Sequence, residues 1–199
     1  MDIWFATNNS HKKKELEAIL GRKLKIPVEE GISFDPEETG RDFFDNAMIK
    51  ARALYNLLEK KDAVIADDSG LCVDALGGRP GVYSARYGCE NGKKLTSLEQ
   101  NLLLLNELGD ASNRNARFVC AMVLLLDNSR FFAAQETLEG SIVKKSEMKG
   151  DGGFGYDPIF LVQRFNRTLA ELSSDEKNLI SHRGKAGNIL ADLLYNNRI

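Results

Sequence analysis

Two aspartates stand side by side at Asp67 and Asp68, directly after the apolar residues 63–66. Like charges so placed repel unless a cation or hydrogen-bond donors compensate them. Asp67-Asp68-Ser69-Gly70 reads as the turn that closes a strand, and in α/β sheets ligands bind outside the carboxyl ends of strands. Carboxylate oxygens suit Mg²⁺, which keeps part of its water and bridges to substrate phosphates. One aspartate of such a pair can hold a metal while another group activates water. The plainer alternative is an exposed Asp-Ser-Gly turn. Glu37 and Glu38, ahead of Thr39-Gly40, complement a helix dipole if they stand alone and gain meaning if they face other acids.

A second constellation is Ala6-Thr7-Asn8-Asn9-Ser10-His11-Lys12, between a short apolar run and a helical pattern. Amides at a helix N-terminus favour anions, small polar side chains let a phosphate approach, and Lys12 adds a point charge. The segment lacks the glycines of a Walker loop. On spacing alone it better suits a polar turn followed by solvated lysines at 12, 13 and 14. Residues 77–87 (Gly-Gly-Arg-Pro-Gly-Val-Tyr-Ser-Ala-Arg-Tyr) form a bent, fixed loop, with Arg86 able to grip a phosphate or simply to face solvent. In residues 150–158 (Gly-Asp-Gly-Gly-Phe-Gly-Tyr-Asp-Pro), Phe154 between glycines can stand out and stack on a planar ring, or it can belong to a core. His182, in Ser181-His182-Arg183, is one of 2 histidines and reads first as a cap or surface residue.

The elements that must position these residues follow from periodicity. Residues 3–7 read as a buried strand, and residues 12–20 as a helix with Leu16, Ile19 and Leu20 on one side and Gly21 ending it. Thr39-Gly40-Arg41-Asp42 resembles a capping box before a long helix whose Phe44, Ala47, Met48, Ala51, Leu54, Tyr55 and Leu58 keep the 3-and-4 spacing. Residues 63–66 form a second buried strand, and Leu95, Leu98, Leu102 and Leu105 mark a further helix. Residues 118–126 are apolar at both alternations, so that strand is covered on both faces. Asp127-Asn128-Ser129 turns it into a hairpin partner at 130–138. A strand at 156–162 and a last helix bearing Ala186, Ile189, Leu190, Leu193 and Leu194 complete a mixed α/β protein.

Composition bounds the rest. The chain has 199 residues, 43% hydrophobic and 28% charged, which suits a folded globular protein. With 27 Lys+Arg against 29 Asp+Glu the net charge is -2, without the basic excess of a dedicated nucleic-acid binder. No apolar run is long enough to span a membrane, and with no basic segment ahead of the first strand no cleaved secretory signal is expected. The 3 cysteines, Cys72, Cys89 and Cys120, form no Cys-x-x-Cys pair and read as unreactive thiols in a reducing cytosol. No linker composition or repeat divides the chain, so residues 1–199 are expected to form one domain in the cytoplasm.

Taken together, these segments resemble one family. Ala-Thr-x-Asn-x-x-Lys at 6–12, Glu-Glu-Thr-Gly at 37–40, Phe-x-x-Asn-Ala at 43–47, Ala-Asp-Asp-Ser-Gly-Leu at 66–71, the glycine-proline segment at 76–87, Gly-Gly-Phe-Gly-Tyr-Asp-Pro at 152–158 and Ser-His-Arg at 181–183 occur in order along nearly the whole chain. The chain is similar to the inosine/xanthosine triphosphate pyrophosphatases. The resemblance implies an elongated two-lobed mixed sheet flanked by helices, with an active-site groove between lobes. It also implies a homodimer, a Mg²⁺ requirement, and cleavage of ITP, dITP or XTP between the α and β phosphates.

Carried over residue by residue, the resemblance assigns Thr7, Asn8, Asn9, Ser10, His11 and Lys12 to the triphosphate, with Asn9 and Lys12 foremost. It assigns Glu38 and Asp68 to Mg²⁺ with Asp67 close by, Asp68 also to accepting a proton from the attacking water, and Ser69 to the substrate. Phe154 is assigned to stack on the purine, and Gly155, Tyr156, Asp157, Lys177, His182 and Arg183 to bind the base and sugar. Donors facing the C6 oxygen, from backbone or from Arg183, would reject adenine. Two positions depart from common family usage: Asn8, where some relatives have glycine, and Asp151, where a small hydroxyl residue is common. The same acids and loop would also serve a phosphatase releasing orthophosphate, or a nucleotide sensor without turnover.

Overall fold

The computed structural model describes residues 2–89, 92–150 and 154–196. Strand β1 (Ile3–Phe5) runs parallel to the start of β2 (Ala63–Val73), with Ile3 opposite Ala63 and Phe5 opposite Ile65. β3 (Asn115–Leu125) and β4 (Phe131–Ile142) are joined by the expected turn, in which Asp127 Oδ1 accepts from the amides of Ser129 and Arg130, each at 2.9 Å. β5 (Phe160–Val162) pairs antiparallel with both β4 and β6 (Arg167–Thr168). The six strands form one mixed sheet in the order β1-β2-β3-β4-β5-β6. The helices are α1 (Ser10–Leu20), α2 (Phe43–Leu57), α3 (Ser97–Leu108), α4 (Ser174–Ile180) and α5 (His182–Asn196).

The chain forms two compact units, each assembled from separate stretches of sequence. The first comprises Met1–Ser69, Cys120–Glu136 and Ser181–Ile199, the second Gly70–Val119 and Thr137–Ile180. Because β2, β3 and β4 each contribute to both units, no linker composition marks the division.

In the first unit the pleat sorts the side chains. Ala63 and Ile65 of β2, with Cys120, Met122 and Leu124 of β3, join Leu16 of α1 and Ala186, Leu190 and Leu194 of α5 in one buried cluster. Val64 and Ala66, with Val123 and Leu125, join Ala47, Ala51 and Leu54 of α2 in another. Successive side chains of a strand point to opposite faces, so α1 and α5 cover one face and α2 the other. This double covering is why β3 reads apolar at both alternations. In the second unit Leu104, Leu105 and Leu108 of α3 pack with Phe118, Leu138, Ile142, Phe160 and Val162.

Several boundaries differ from the sequence reading. β2 does not stop at residue 66 but continues through both aspartates to Val73. The cap of α2 is Asp42, whose Oδ1 accepts from the amide of Asp45 at 2.8 Å, and not Thr39. Leu98 and Ile189 are exposed, because α3 turns Gln100, Asn101 and Leu104 inward and α5 turns Ala186, Gly187 and Leu190 inward. The strand expected over 156–162 is extended only at Phe160–Val162, since Asp157–Ile159 with its proline makes a 3₁₀ turn. The three cysteines are free thiols. Burial pushes Cys120 up to about 12 and also raises Cys72, which disfavours thiolate at neutral pH. Among the described residues no helix is long and apolar enough to cross a membrane.

Gly140 in β4 tests the tightness of this packing. A Cβ there would lie 2.5 Å from the Leu161 carbonyl oxygen and 2.6 Å from the buried Phe160 ring. Backbone cannot step aside, so Gly140→Ala is expected to lower stability by about 1–3 kcal/mol in urea denaturation.

Candidate active site

The paired aspartates lie within β2, 1% and 6% exposed, and therefore point to opposite faces of the strand. Asp67 faces α1 and α5. Its Oδ1 accepts from Lys12 Nζ at 3.0 Å, and its Oδ2 from Arg183 Nε at 3.2 Å and Ser69 Oγ at 3.4 Å. Arg183, 3% exposed, also donates from one terminal nitrogen to Glu15 Oε2 at 2.6 Å and from the other to Ser69 Oγ at 2.9 Å. Asp68 faces α2, where Asn46 Nδ2 donates to its Oδ2 at 3.1 Å and Lys50 Nζ lies 3.4 Å from its Oδ1. Lys50 Nζ also donates to Glu38 Oε1 at 2.7 Å.

These environments drive the two carboxyls apart. Burial alone would raise Asp67, but the flanking charges of Lys12 and Arg183 outweigh it and hold Asp67 well below the usual carboxylate range. At Asp68 burial prevails over Lys50, Lys12 and Asn46, and the carboxyl is raised. Burial pulls Lys12 down against the attraction of Asp67. Lys50 is raised, because Asp68, Asp67 and Glu38 together outweigh its burial.

The 6–12 segment lies where β1 passes into α1. Asn9 is the N-cap: its Oδ1 accepts from the amides of His11 at 2.9 Å and Lys12 at 3.2 Å, which leaves its side-chain nitrogen as donor. Thr7 Oγ1 accepts from the Asn9 amide at 3.1 Å, and Asn8 Nδ2 donates to the Phe34 carbonyl at 2.6 Å. Ser10 and His11 are exposed on the first turn. His182 is buried at the start of α5, not a surface residue, and Ser181 Oγ accepts there from the Gly184 amide at 2.9 Å.

The second unit holds the aromatic loop. Asp157 Oδ2 accepts from the Phe154 amide at 2.8 Å and from Lys177 Nζ at 2.8 Å, and that ammonium lies 4.7 Å from the centre of the Phe154 ring. A cation over an aromatic face is attracted by the ring quadrupole. Tyr156 donates its hydroxyl to the Ser84 carbonyl at 2.9 Å, and Gly155 offers its carbonyl to Asn101 Nδ2 at 3.1 Å. Ser84 in turn accepts from the Leu71 amide at 2.8 Å, so the glycine-proline segment anchors this loop. Arg86 lies over the Tyr83 ring at 4.9 Å. Asp151, Gly152 and Gly153 lie outside the described residues.

The donor set at Glu38 and Asp68 fits a hard divalent cation. Two carboxylates already converge on one positive charge, the Lys50 ammonium. Carboxylate oxygens are the donors Mg²⁺ takes; among the described residues no group of three or more His, Cys, Asp or Glu side chains that could hold a metal ion occurs. Lys50 and Glu15 escaped the sequence reading, and Asn46 entered it only within the Phe-x-x-Asn-Ala motif, without a role. The available signal was phase: Asn46 and Lys50 fall on the buried stripe of α2 among Phe43, Ala47, Ala51 and Leu54, where surface polar residues do not belong.

By fold this is a mixed α/β protein whose charged site is built into the interior of a strand. The chain belongs to the Ham1 family, whose pattern matches residues 3–193. A relative from Treponema denticola, named dITP/XTP pyrophosphatase, is 52% identical over 187 residues, 94% of either chain. The solved Ham1 protein of Staphylococcus aureus superposes with a TM-score of 0.86 at 38% identity, over 99% of this chain and 100% of that one. A HAM1 protein from Coxiella burnetii gives 0.88 at 38% identity, over 98% and 99%. These findings bear out the resemblance to the inosine/xanthosine triphosphate pyrophosphatases and the mixed-sheet fold that it implied.

Arg183 carries a testable share of this architecture. Arg183→Met leaves Asp67 and Glu15 without their guanidinium partner, and removing one partner from a buried pair costs about 3–5 kcal/mol. The expected result is a loss of that order in chemical denaturation, with Lys12 alone too little to offset it.

Proposed function

We propose that this protein hydrolyses the non-standard purine nucleotides ITP, dITP and XTP between the α and β phosphates, releasing the monophosphate and pyrophosphate. The observation that carries this reading is the separate setting of two adjacent carboxyls: Asp67 is paired with Lys12 and Arg183 on one face of β2, and Asp68 shares Lys50 with Glu38 on the other. Pairs of titratable groups pushed apart by their surroundings mark acid–base assignments. The Treponema denticola relative, named for dITP and XTP, supports the substrate class.

Thr7, Asn8, Asn9, Ser10, His11 and Lys12 bind the triphosphate: the first-turn amides of α1 donate to anionic oxygens, and Lys12 adds its charge. Glu38 and Asp68 would hold Mg²⁺, which would supply positive charge to the phosphates. Asp68 takes the proton of the attacking water. A raised carboxyl is the more basic as carboxylate and so the better acceptor. The water oxygen bonds to phosphorus as the bond to pyrophosphate breaks, and pyrophosphate leaves with the electron pair. Ser69 contacts the substrate.

In the second unit Phe154 stacks on the purine, with its amide and Lys177 held by Asp157; Gly155, Tyr156, Asp157 and Lys177 serve the base and sugar. His182 and Arg183 carry the same assignment in the first. Arg183 already engages Asp67, Glu15 and Ser69, so a donation to a C6 oxygen draws on the second hydrogens of its terminal nitrogens. The reading includes a homodimer, for which exposed Leu57, Leu179 and Tyr195 leave apolar surface, and a reducing cytoplasm, which suits three free thiols.

The test is incubation with Mg²⁺ and, separately, ITP, XTP, GTP and ATP, with pyrophosphate and orthophosphate measured in parallel. Pyrophosphate from ITP and XTP, little from GTP and ATP, and none without Mg²⁺ is expected. Orthophosphate as sole product indicates a phosphatase; binding of ITP without turnover indicates a sensor. Asp68→Asn is expected to lower kcat at least about 100-fold while ITP still binds, as loss of a general base does.

A further inference from the structure

One amide joins the two segments that carry Glu38 and Asp68. Asn46, 0% exposed on α2, accepts at Oδ1 from the Gly40 amide at 2.8 Å and donates from Nδ2 to Asp68 Oδ2 at 3.1 Å. A backbone N–H can only donate and an ionised carboxylate can only accept, so these partners determine which way the amide faces. Gly40 lies two residues beyond Glu38 on the segment that precedes α2. A Cβ at Gly40 would stand 2.6 Å from Asn46 Oδ1 and 2.7 Å from the Asn46 amide nitrogen, so the approach requires glycine there. One helical turn on, Lys50 meets Glu38 Oε1 at 2.7 Å and Asp68 Oδ1 at 3.4 Å. Residues four apart share a helix face, so α2 grips Asp68 by both oxygens and the Glu38 segment by its backbone.

We propose that Asn46 is a positioning residue: its amide sets the Glu38 segment against Asp68, so that two carboxylates from distant parts of the sequence converge on one divalent cation. The inference rests on the assignment of Glu38 and Asp68 to the metal. Aspartate at this position keeps the acceptor for Gly40 but turns a carboxylate toward Asp68, and leucine keeps the bulk but loses both bonds. Groups that orient metal ligands typically contribute 10–100-fold to metal affinity or activity.

The experiment compares the wild-type protein with Asn46→Leu, Asn46→Asp and Gly40→Ala. Mn²⁺ binding to the free protein is followed by electron paramagnetic resonance, ITP hydrolysis at saturating Mg²⁺ is measured separately, and folding is checked by thermal melting. Asn46→Leu is expected to weaken Mn²⁺ binding about 10–100-fold. The KM for ITP is expected to stay within about threefold, because the hydrogen bonds of the Asn46 side chain go to Gly40 and Asp68 and not to the 6–12 segment or the Phe154 loop; a general loss of structure would move both. Gly40→Ala, which keeps the amide but displaces it, is expected to weaken Mn²⁺ binding in the same direction and carries the test if the Asn46 variants do not fold. Wild-type Mn²⁺ affinity in folded Asn46→Leu, or in folded Gly40→Ala where the Asn46 variants fail to fold, overturns the proposal, as does absence of Mn²⁺ binding by the wild-type protein. If the wild type binds Mn²⁺ and the variants lose it, yet ITP yields no pyrophosphate, the positioning role stands and the assigned reaction falls.

Discussion

Two adjacent carboxylates inside a strand cannot share one neutralising partner, because the pleat sends them to opposite faces. Each face must supply its own. Moving a single carboxylate into a dry interior costs on the order of 20 kcal/mol in the idealised limit. That exceeds the whole stability of an ordinary domain, about 5–15 kcal/mol. The positions of three helices follow from this demand. α1 brings Lys12 and α5 brings Arg183 to Asp67, while α2 brings Asn46 and Lys50 to Asp68. The apolar clusters beneath these helices then hold the cations where the acids require them.

The same constraint gives one residue type two different electrostatic settings. Asp67 meets two cations at 3.0 and 3.2 Å and serves as a permanent anion. Asp68 shares a single ammonium with Glu38 at a longer 3.4 Å, and its burial is left partly uncompensated. The imbalance leaves Asp68 raised where Asp67 is lowered. In the second unit Asp157 plays an organising part, fixing Lys177 and the Phe154 backbone together.

Legibility in the sequence followed burial pattern. The stripe of α2 and the two-sided apolar run of β3 were visible because one period dominates each, and both elements occur where they were expected. The end of β2 was misplaced because acids are depleted from strands, and nothing local reveals that cations from residues 12, 50 and 183 permit the strand to continue. Lys50 was passed over, and Asn46 noted only within a family motif, for a related reason: a polar residue on a helix reads as solvent-facing until its phase is compared with the apolar stripe. The Phe154 loop was recognised through family likeness, since glycine density says only that backbone comes close to something.

The interleaving of the two units has a consequence for biogenesis. The ribosome delivers Asp67 long before Arg183, and α1 waits for α5, its packing partner in the first unit. Until residues 182–196 have emerged, Asp67 has Lys12 but lacks its guanidinium, and one face of β2 is uncovered. Neither unit is a contiguous stretch that can fold ahead of the rest, as successive domains do during synthesis. α5 thus completes the charge balance at Asp67 of a strand made more than a hundred residues earlier, and a nascent chain halted before it leaves Asp67 with Lys12 alone.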